Sequence, residues 1–297
     1  MFVIKYRKIF FAISSLAVLL SLISIFYFGL NLGIDFKGGT IVEVEYISEV
    51  PALEDLRSII NEEGGANLVA VQPTGDKGFI FRTKDLPEEE KDLLVKKASF
   101  EDKYELVEKR SSSIGPTLGK ELARKGMIAI SLVVLLIIAF IAFVFRGVSR
   151  PVASWKYGVI AVVALLHDII IPTGVFSALG YFKGTEIDAL FLTALLTILG
   201  LSVNDTIVVF DRIRENLKNK VTPHFEDVVG MSLSQTFTRS INTSLTVVLV
   251  LLAVFIFGGS TTKDFALVLT IGMIVGTYSS IFLASPLLVA WEKLGSK

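Results

Sequence analysis

Six stretches of this sequence are apolar over roughly the 20 residues a helix needs to cross a bilayer, and nothing else limits the fold as tightly. Hydrocarbon offers no water to backbone N–H and C=O groups, so a spanning segment must be a helix or part of a closed barrel. Apolar runs of this length predict helices. They are Ile9–Phe28, Met127–Phe145, Trp155–Leu179, Ile187–Phe210, Thr238–Phe257 and Phe265–Trp291. A mean hydropathy of +0.66 agrees with this reading. The first run follows Lys5, Arg7 and Lys8, as a secretory signal would. It is longer than a signal's apolar part, however, and exits through GLNLGIDFKGG with no A-x-A pattern, so it reads as a retained helix.

Six spans put both termini on one side, and the basic residues of the short connections choose the side. Arg146, Arg150 and Lys156 lie between the second and third spans, and Arg212, Arg214, Lys218 and Lys220 between the fourth and fifth. Lys293 and Lys297 close the tail, whereas the opposite loops hold Lys183 and Lys263 alone. Cytoplasmic termini are therefore expected in a multi-pass protein with an extracytoplasmic 30–125 region. The expected division is 1–29 (N-terminus and helix 1), 30–125 (outer domain with its connections) and 126–297 (helices 2 to 6 and the tail).

Within the outer region, TIVEVEY (Thr40–Tyr46) alternates with period two and predicts a strand. PALEDLRSIINEE places Leu53, Leu56, Ile59 and Ile60 on one helical face, with Pro51 at its start and Gly64-Gly65 as its stop. NLVAVQPTG and GFIFRTK predict two strands around a Gly75–Gly78 turn. PEEEKDLLVKKASF is acidic early and basic late, as a helix dipole favours, and YELVEKR predicts a last strand. The order βαββαβ is a small α+β, ferredoxin-like domain, a fold that identifies no function.

Several classes are excluded. Net charge is +0, which gives no case for nucleic acid, and with no cysteine there is no disulfide, thiolate metal site or cysteine nucleophile. No phosphate loop, metal cluster or catalytic triad is legible, so no cofactor, no metal and no enzymatic activity are expected. GIDFKGG fits no nucleotide fingerprint, and Gly38-Gly39 predicts a tight turn instead.

Polar residues inside the spans carry the functional signal. An ionisable group in the bilayer is costly, by about 2.5–3.5 kcal/mol at a helix centre on insertion scales. In the fourth span Thr193, Thr197, Gly200 and Asn204 share a face, and Asp205 lies beside it. Asp205 is about 9 Å inside Asp211, at 1.5 Å per residue, behind four apolar residues, Ile207–Phe210. Its short side chain favours burial over an interfacial position. In the fifth span the fully apolar run, Leu245–Phe257, is too short to cross, so the helix must include Arg239. Gln235, Arg239, Asn242 and Thr246 form one polar face. Arg239 either marks the membrane boundary or answers Asp205, and the need of Asp205 for a counter-charge favours the second. His167 and Asp168 fall near the middle of the third span, as a proton relay or, the preferred reading, as packing groups that bond to neighbouring helices. Gly272, Gly276, Ser280 and Ala284 in the last span are four apart and predict a close helix seam.

LGIDFKGGT, SSIGPTLGKEL, ALLHDIIIPTGVF, LGLSVNDTIVVFDRIREN and SQTFTRSINTS together resemble the SecF family, membrane subunits that accompany the Sec protein translocase. The resemblance runs nearly end to end. It implies half of a twelve-helix RND-type unit completed by SecD in the bacterial inner membrane. That unit joins SecYEG and YajC, and uses a proton or sodium gradient to draw a translocating preprotein across after SecA has pushed it in. It places the family's essential carboxylate on Asp205 and its essential arginine on Arg239, and gives Asn204, His167 and Asp168 no firm role beyond accessory polar groups. Three other readings are an RND-type half-transporter exporting lipids or small molecules, an intramembrane enzyme, and a passive scaffold. The small outer domain disfavours the first, the lack of a metal or paired-Asp motif the second, and the third predicts that Asp205 and Arg239 are dispensable.

Overall fold

The structure, a computed structural model, describes residues 2–61, 68–145 and 152–295. The Gly64-Gly65 stop and the basic residues Arg146, Arg150 and Lys297 lie outside the described residues. In chain order the elements are α1 (Phe2–Lys5), α2 (Arg7–Phe28), α3 (Ile34–Lys37), β1 (Gly39–Tyr46), α4 (Leu53–Asn61), β2 (Leu68–Thr74) and β3 (Gly78–Thr83). They continue with α5 (Glu88–Ala98), β4 (Leu106–Ile114), α6 (Pro116–Val144), α7 (Ser154–Lys183), α8 (Ala189–Lys218) and α9 (Phe225–Phe257). The chain ends in α10 (Ser260–Tyr278), a π-helical turn (Ser279–Ala284) and α11 (Ser285–Gly295).

Among the described residues six helical stretches are long and apolar enough to cross a membrane. They run past the apolar stretches that predict them. Pro116 opens α6 at a position where its missing N–H costs nothing, so the helix takes in three polar turns before Met127. Helix α8 continues through the charged DRIREN to Lys218, and α9 starts at Phe225, well ahead of its apolar run. The last span is a single helix in the sequence reading. In the structure a π turn interrupts it, and hydroxyls make part of the difference, since Ser285 Oγ reaches back to the Ser280 carbonyl at 3.1 Å.

The chain forms two compact units, 32–127 and the remainder. In the smaller unit the sheet order is β2-β3-β1-β4 with every pair antiparallel, the ferredoxin-like order reached by a βαββαβ chain. The period-two residues Val42, Val44 and Tyr46 face the core and meet Phe79 and Phe81 from β3, Leu56 and Ile60 from α4, and Leu94 and Ala98 from α5. The Tyr46 hydroxyl donates to the Ala98 carbonyl at 2.7 Å. Burial, reinforced by Tyr104, pushes that phenol well above its ordinary range and keeps it neutral. Gly38 and Gly39 have φ of 80° and 138°, and a Cβ on either would fall 2.7 Å from backbone, of Pro116 and Thr83 respectively. The predicted tight turn is thus a place where only glycine fits.

In the membrane unit α7 is the central helix, packed on α2, α8, α10, the π turn and α11. Its apolar residues run right round the helix, with Ile160, Ala161, Ala164 and Leu165 buried against neighbours and Val159, Val163 and Leu166 on an open face. Small residues set the spacing. Gly174 of α7 lies against Ser21 of α2, and Ser177 donates to the Ser24 and Gly29 carbonyls. The predicted Gly272, Gly276, Ser280 and Ala284 seam lies against α8. Gly272 meets Ile198, Gly276 meets Ser202, and Ser280 bonds Thr206 at 2.8 Å, so residues four apart on each helix interlock. At one end Tyr157 stacks on Phe145 and Phe210 closes on both, while Glu226 at the start of α9 pairs with Arg7 and Lys293.

Candidate functional site

Two polar regions lie in the membrane unit, one on its surface and one at its centre. Helices α8 and α9 carry the first. Thr193, Thr197, Gly200 and Asn204 are exposed along α8, and Gln235, Arg239, Asn242 and Thr246 are exposed along α9. The predicted polar stripes therefore exist as helical faces, open to the outside of the chain except at Gln235, whose Oε1 accepts from Arg212 Nε at 2.6 Å and Asn216 Nδ2 at 2.9 Å of α8. Thr193 and Thr197 return their hydroxyls to the carbonyls four residues back, which leaves those polar groups satisfied.

Asp205 sits between that surface and the interior. Its Oδ1 accepts from Ser240 Oγ of α9 at 2.9 Å, and its Oδ2 is buried without a hydrogen-bond partner among the described residues. Arg239, next to Ser240, lies within electrostatic reach of Asp205, yet no ion pair joins them within 4.0 Å among the described residues. The structure thus brings Asp205 to the α8–α9 seam and leaves Arg239 on the open face beside it. Asn204 is on that open face too.

The second region surrounds Asp168, whose side chain is 0% exposed. Its Oδ1 is 2.9 Å from His167 Nδ1, and its Oδ2 accepts from Ser202 of α8 and from Ser279 of the π turn, the latter at 2.8 Å. His167 and Asp168 therefore touch each other, although adjacent helical positions need not, and they join three helices. Pro172, one turn on, lacks the N–H that the Asp168 carbonyl would otherwise accept.

Several serines and threonines in these regions escaped the sequence reading. Ser232, Thr236, Ser240 and Ser244 are buried on α9 and spaced four apart, and Thr206 is buried on α8 four residues after Ser202, the one hydroxyl the sequence places one turn before Asp205. The signal was present as a period, but hydroxyls in apolar helices are common and cheap, so only their carboxylate partners distinguish them.

Residues 95–294 match the family described as Protein export membrane protein SecD/SecF, C-terminal, and residues 23–46 match the SecD/SecF GG Motif. The chain is 44% identical to protein translocase subunit SecF of Thermobaculum terrenum, over 98% of its own length and 93% of that protein's. The chain belongs to the SecF family. Protein translocase subunit SecF of Anaerolinea thermophila is 41% identical over 96% of this chain and 92% of that one. SecDF of Bacillus subtilis is 36% identical over 96% of this chain, which spans 37% of the SecDF length. Among solved structures, SecDF of Thermus thermophilus, a translocon-associated membrane protein, superposes with a TM-score of 0.84 at 33% identity, over 98% of this chain and 38% of that one. The SecF assignment makes the chain a multi-pass transport component. The GG motif covers the Gly38-Gly39 turn, whose backbone contacts explain the glycines.

Proposed function

We propose that this SecF-family chain is one half of a SecD–SecF unit in the bacterial inner membrane, where a proton or sodium gradient acting through Asp205 and Arg239 assists preprotein translocation. The observation that carries this reading is the exposed polar face of α8 and α9. A face bearing Asn204, Arg239 and Asn242 does not rest against acyl chains, because each uncovered polar group there is costly. A second membrane protein must cover it. In SecDF of Bacillus subtilis and Thermus thermophilus this chain matches a little over a third of one polypeptide, so related chains carry further sequence joined to a SecF-like part. A SecD-type part is what covers the face here.

Once covered, Arg239 and the unpartnered Oδ2 of Asp205 share a water-poor seam at the α8–α9 edge. Neutralising Asp205 with a cation removes its attraction for Arg239, and restoring the charge returns it. This gives two arrangements of the seam for a gradient to bias. The termini are cytoplasmic and residues 30–125 extracytoplasmic, where the outer domain meets the emerging preprotein. SecYEG and YajC are the neighbouring partners in the membrane, and SecA acts upstream from the cytoplasm.

The test is preprotein translocation into membrane vesicles that hold this chain with its SecD-type partner, with and without collapse of the proton and sodium gradients. The expected result is a late translocation step that slows on collapse. Translocation indifferent to uncouplers and sodium ionophores contradicts the proposal and favours a scaffold.

A further inference from the structure

We propose that the His167–Asp168 pair, enclosed by Ser202 and Ser279, is a proton-binding site separate from Asp205, with His167 Nε2 as the atom that gains and loses the proton. Asp168 is 0% and His167 4% exposed. A carboxylate that deep requires compensation, because an isolated ion in low dielectric is far more costly than a neutral group. Two serine hydroxyls and one imidazole nitrogen supply it, and among the described residues no lysine or arginine lies within 4.0 Å.

A neutral imidazole whose Nδ1–H donates to Asp168 Oδ1 carries a free lone pair on Nε2. Nε2 is buried and has no hydrogen-bond partner among the described residues. In that state the cluster has a net charge of about −1, summing an ionised carboxylate and a neutral ring. One proton on Nε2 turns it into an imidazolium–carboxylate pair with no net charge. The arrangement thus presents one vacant base beside one uncompensated anion, the composition of a site for a single proton.

The other ionisable groups on helices packed against α7 do not take this role. Helix α2 offers Ser14 and Ser21 as its buried polar groups. Helix α8 offers Asp205, one turn from Ser202 and hydrogen-bonded away to Ser240. The phenol of Tyr278 stacks on the His167 ring, with centroids 6.2 Å apart, and donates to the Phe10 carbonyl. In α11, Lys293 pairs with Glu226 at the end of the bundle, and Glu292 is the other charged group there.

The proton has a structural reader. Ser202 of α8 and Ser279 of the π turn both donate to Asp168 Oδ2, so the π turn and α8 both hang on the carboxylate. A charge change on the dyad alters the strength of these bonds and so the hold of the last helix on α7 and α8. π turns inside helices recur at functional sites.

The test is nitrogen NMR of the full chain in nanodiscs, labelled with 15N-histidine. The sequence has two histidines, so His224→Gln leaves one reporter. The expected result is an Nδ1 that stays protonated while Nε2 gains a proton as pH falls from about 8 to about 5. In Asp168→Asn the fixed Nδ1–H tautomer is lost. Ser279→Ala, which keeps the carboxylate, serves as the second variant and shifts the pH of the Nε2 change. An Nε2 that does not change over that range, a change identical in both variants, or a response to sodium in place of protons overturns the proposal. The readout needs no transport, so its failure leaves the gradient-driven role of Asp205 standing, and the reverse also holds.

Discussion

At the scale of single residues, the division of labour follows from how each carboxylate is satisfied. Asp205 keeps one oxygen on Ser240 and the other free at a seam, whereas Asp168 has every oxygen engaged inside the bundle. Asp205→Asn retains the Ser240 bond, so folding stability is expected to change by less than about 1 kcal/mol while the gradient-dependent step is lost. Thermal unfolding and translocation on the same preparation check both halves of that statement. In the outer domain, Tyr46→Phe removes the bond to Ala98 and leaves a buried carbonyl unsatisfied, at a cost of about 1–3 kcal/mol. Its pH dependence has a definite sign. The phenol's affinity for its proton is raised by folding, so its contribution is present below the ordinary tyrosine range and is lost as the solution becomes strongly alkaline. Hydrogen exchange of β1 and α5 as a function of pH reads this directly. Among residues, the charged ones were legible in the sequence because their cost in lipid is large. The exposure of Arg239 was not, because a sequence shows which helix face is polar and not which chain covers it.

At the scale of elements, the small-residue seam between the last span and α8 sets the bundle. Replacing Gly276 by Leu drives a side chain toward Ser202 Cβ, 3.0 Å from the position of the first added carbon, and toward Asp168 Oδ2 at 3.6 Å. Overpacking of this kind costs about 1–3 kcal/mol, and here it also separates the π turn from the carboxylate. The variant is expected to unfold at a lower temperature in detergent and to show faster hydrogen exchange at Ser279–Ala284. Unchanged exchange there means that the seam is not what holds the turn. Helix existence and order were readable from length and hydropathy. Helix ends were not, since the polar extensions of α6, α8 and α9 carry no apolar signal, and the π turn depends on hydroxyl bonds to other helices. The outer-domain strands were legible from their period-two alternation. Strand β4 runs on to Ile114 because its pairing with β1 extends through a serine run that has no strand pattern of its own.

At the scale of the whole molecule, the polar surface of α8 and α9 is the unfinished part of the chain. It is expected to lie against the SecD-type subunit. Because the chain has no cysteine, Asn204→Cys introduces a single reporter. Paired with single cysteines on the partner's matching helices, it is expected to form a disulfide-linked heterodimer, and a control at the exposed, apolar Leu136 of α6 is not. Cross-linking from both positions alike, or from neither, argues against this face as the interface. Family membership was legible in the sequence through five motifs. The covered face followed only when the structure showed which sides of α8 and α9 their own neighbours leave open. The central claim is that a cation moving past Asp205 drives the late stage of translocation. Its most direct test is the cation influx of proteoliposomes holding the complex during preprotein movement, compared between the native chain and Asp205→Asn. The account predicts influx and gradient-dependent translocation in the native complex and the loss of both together in the variant. Equal influx and equal translocation in Asp205→Asn contradict it.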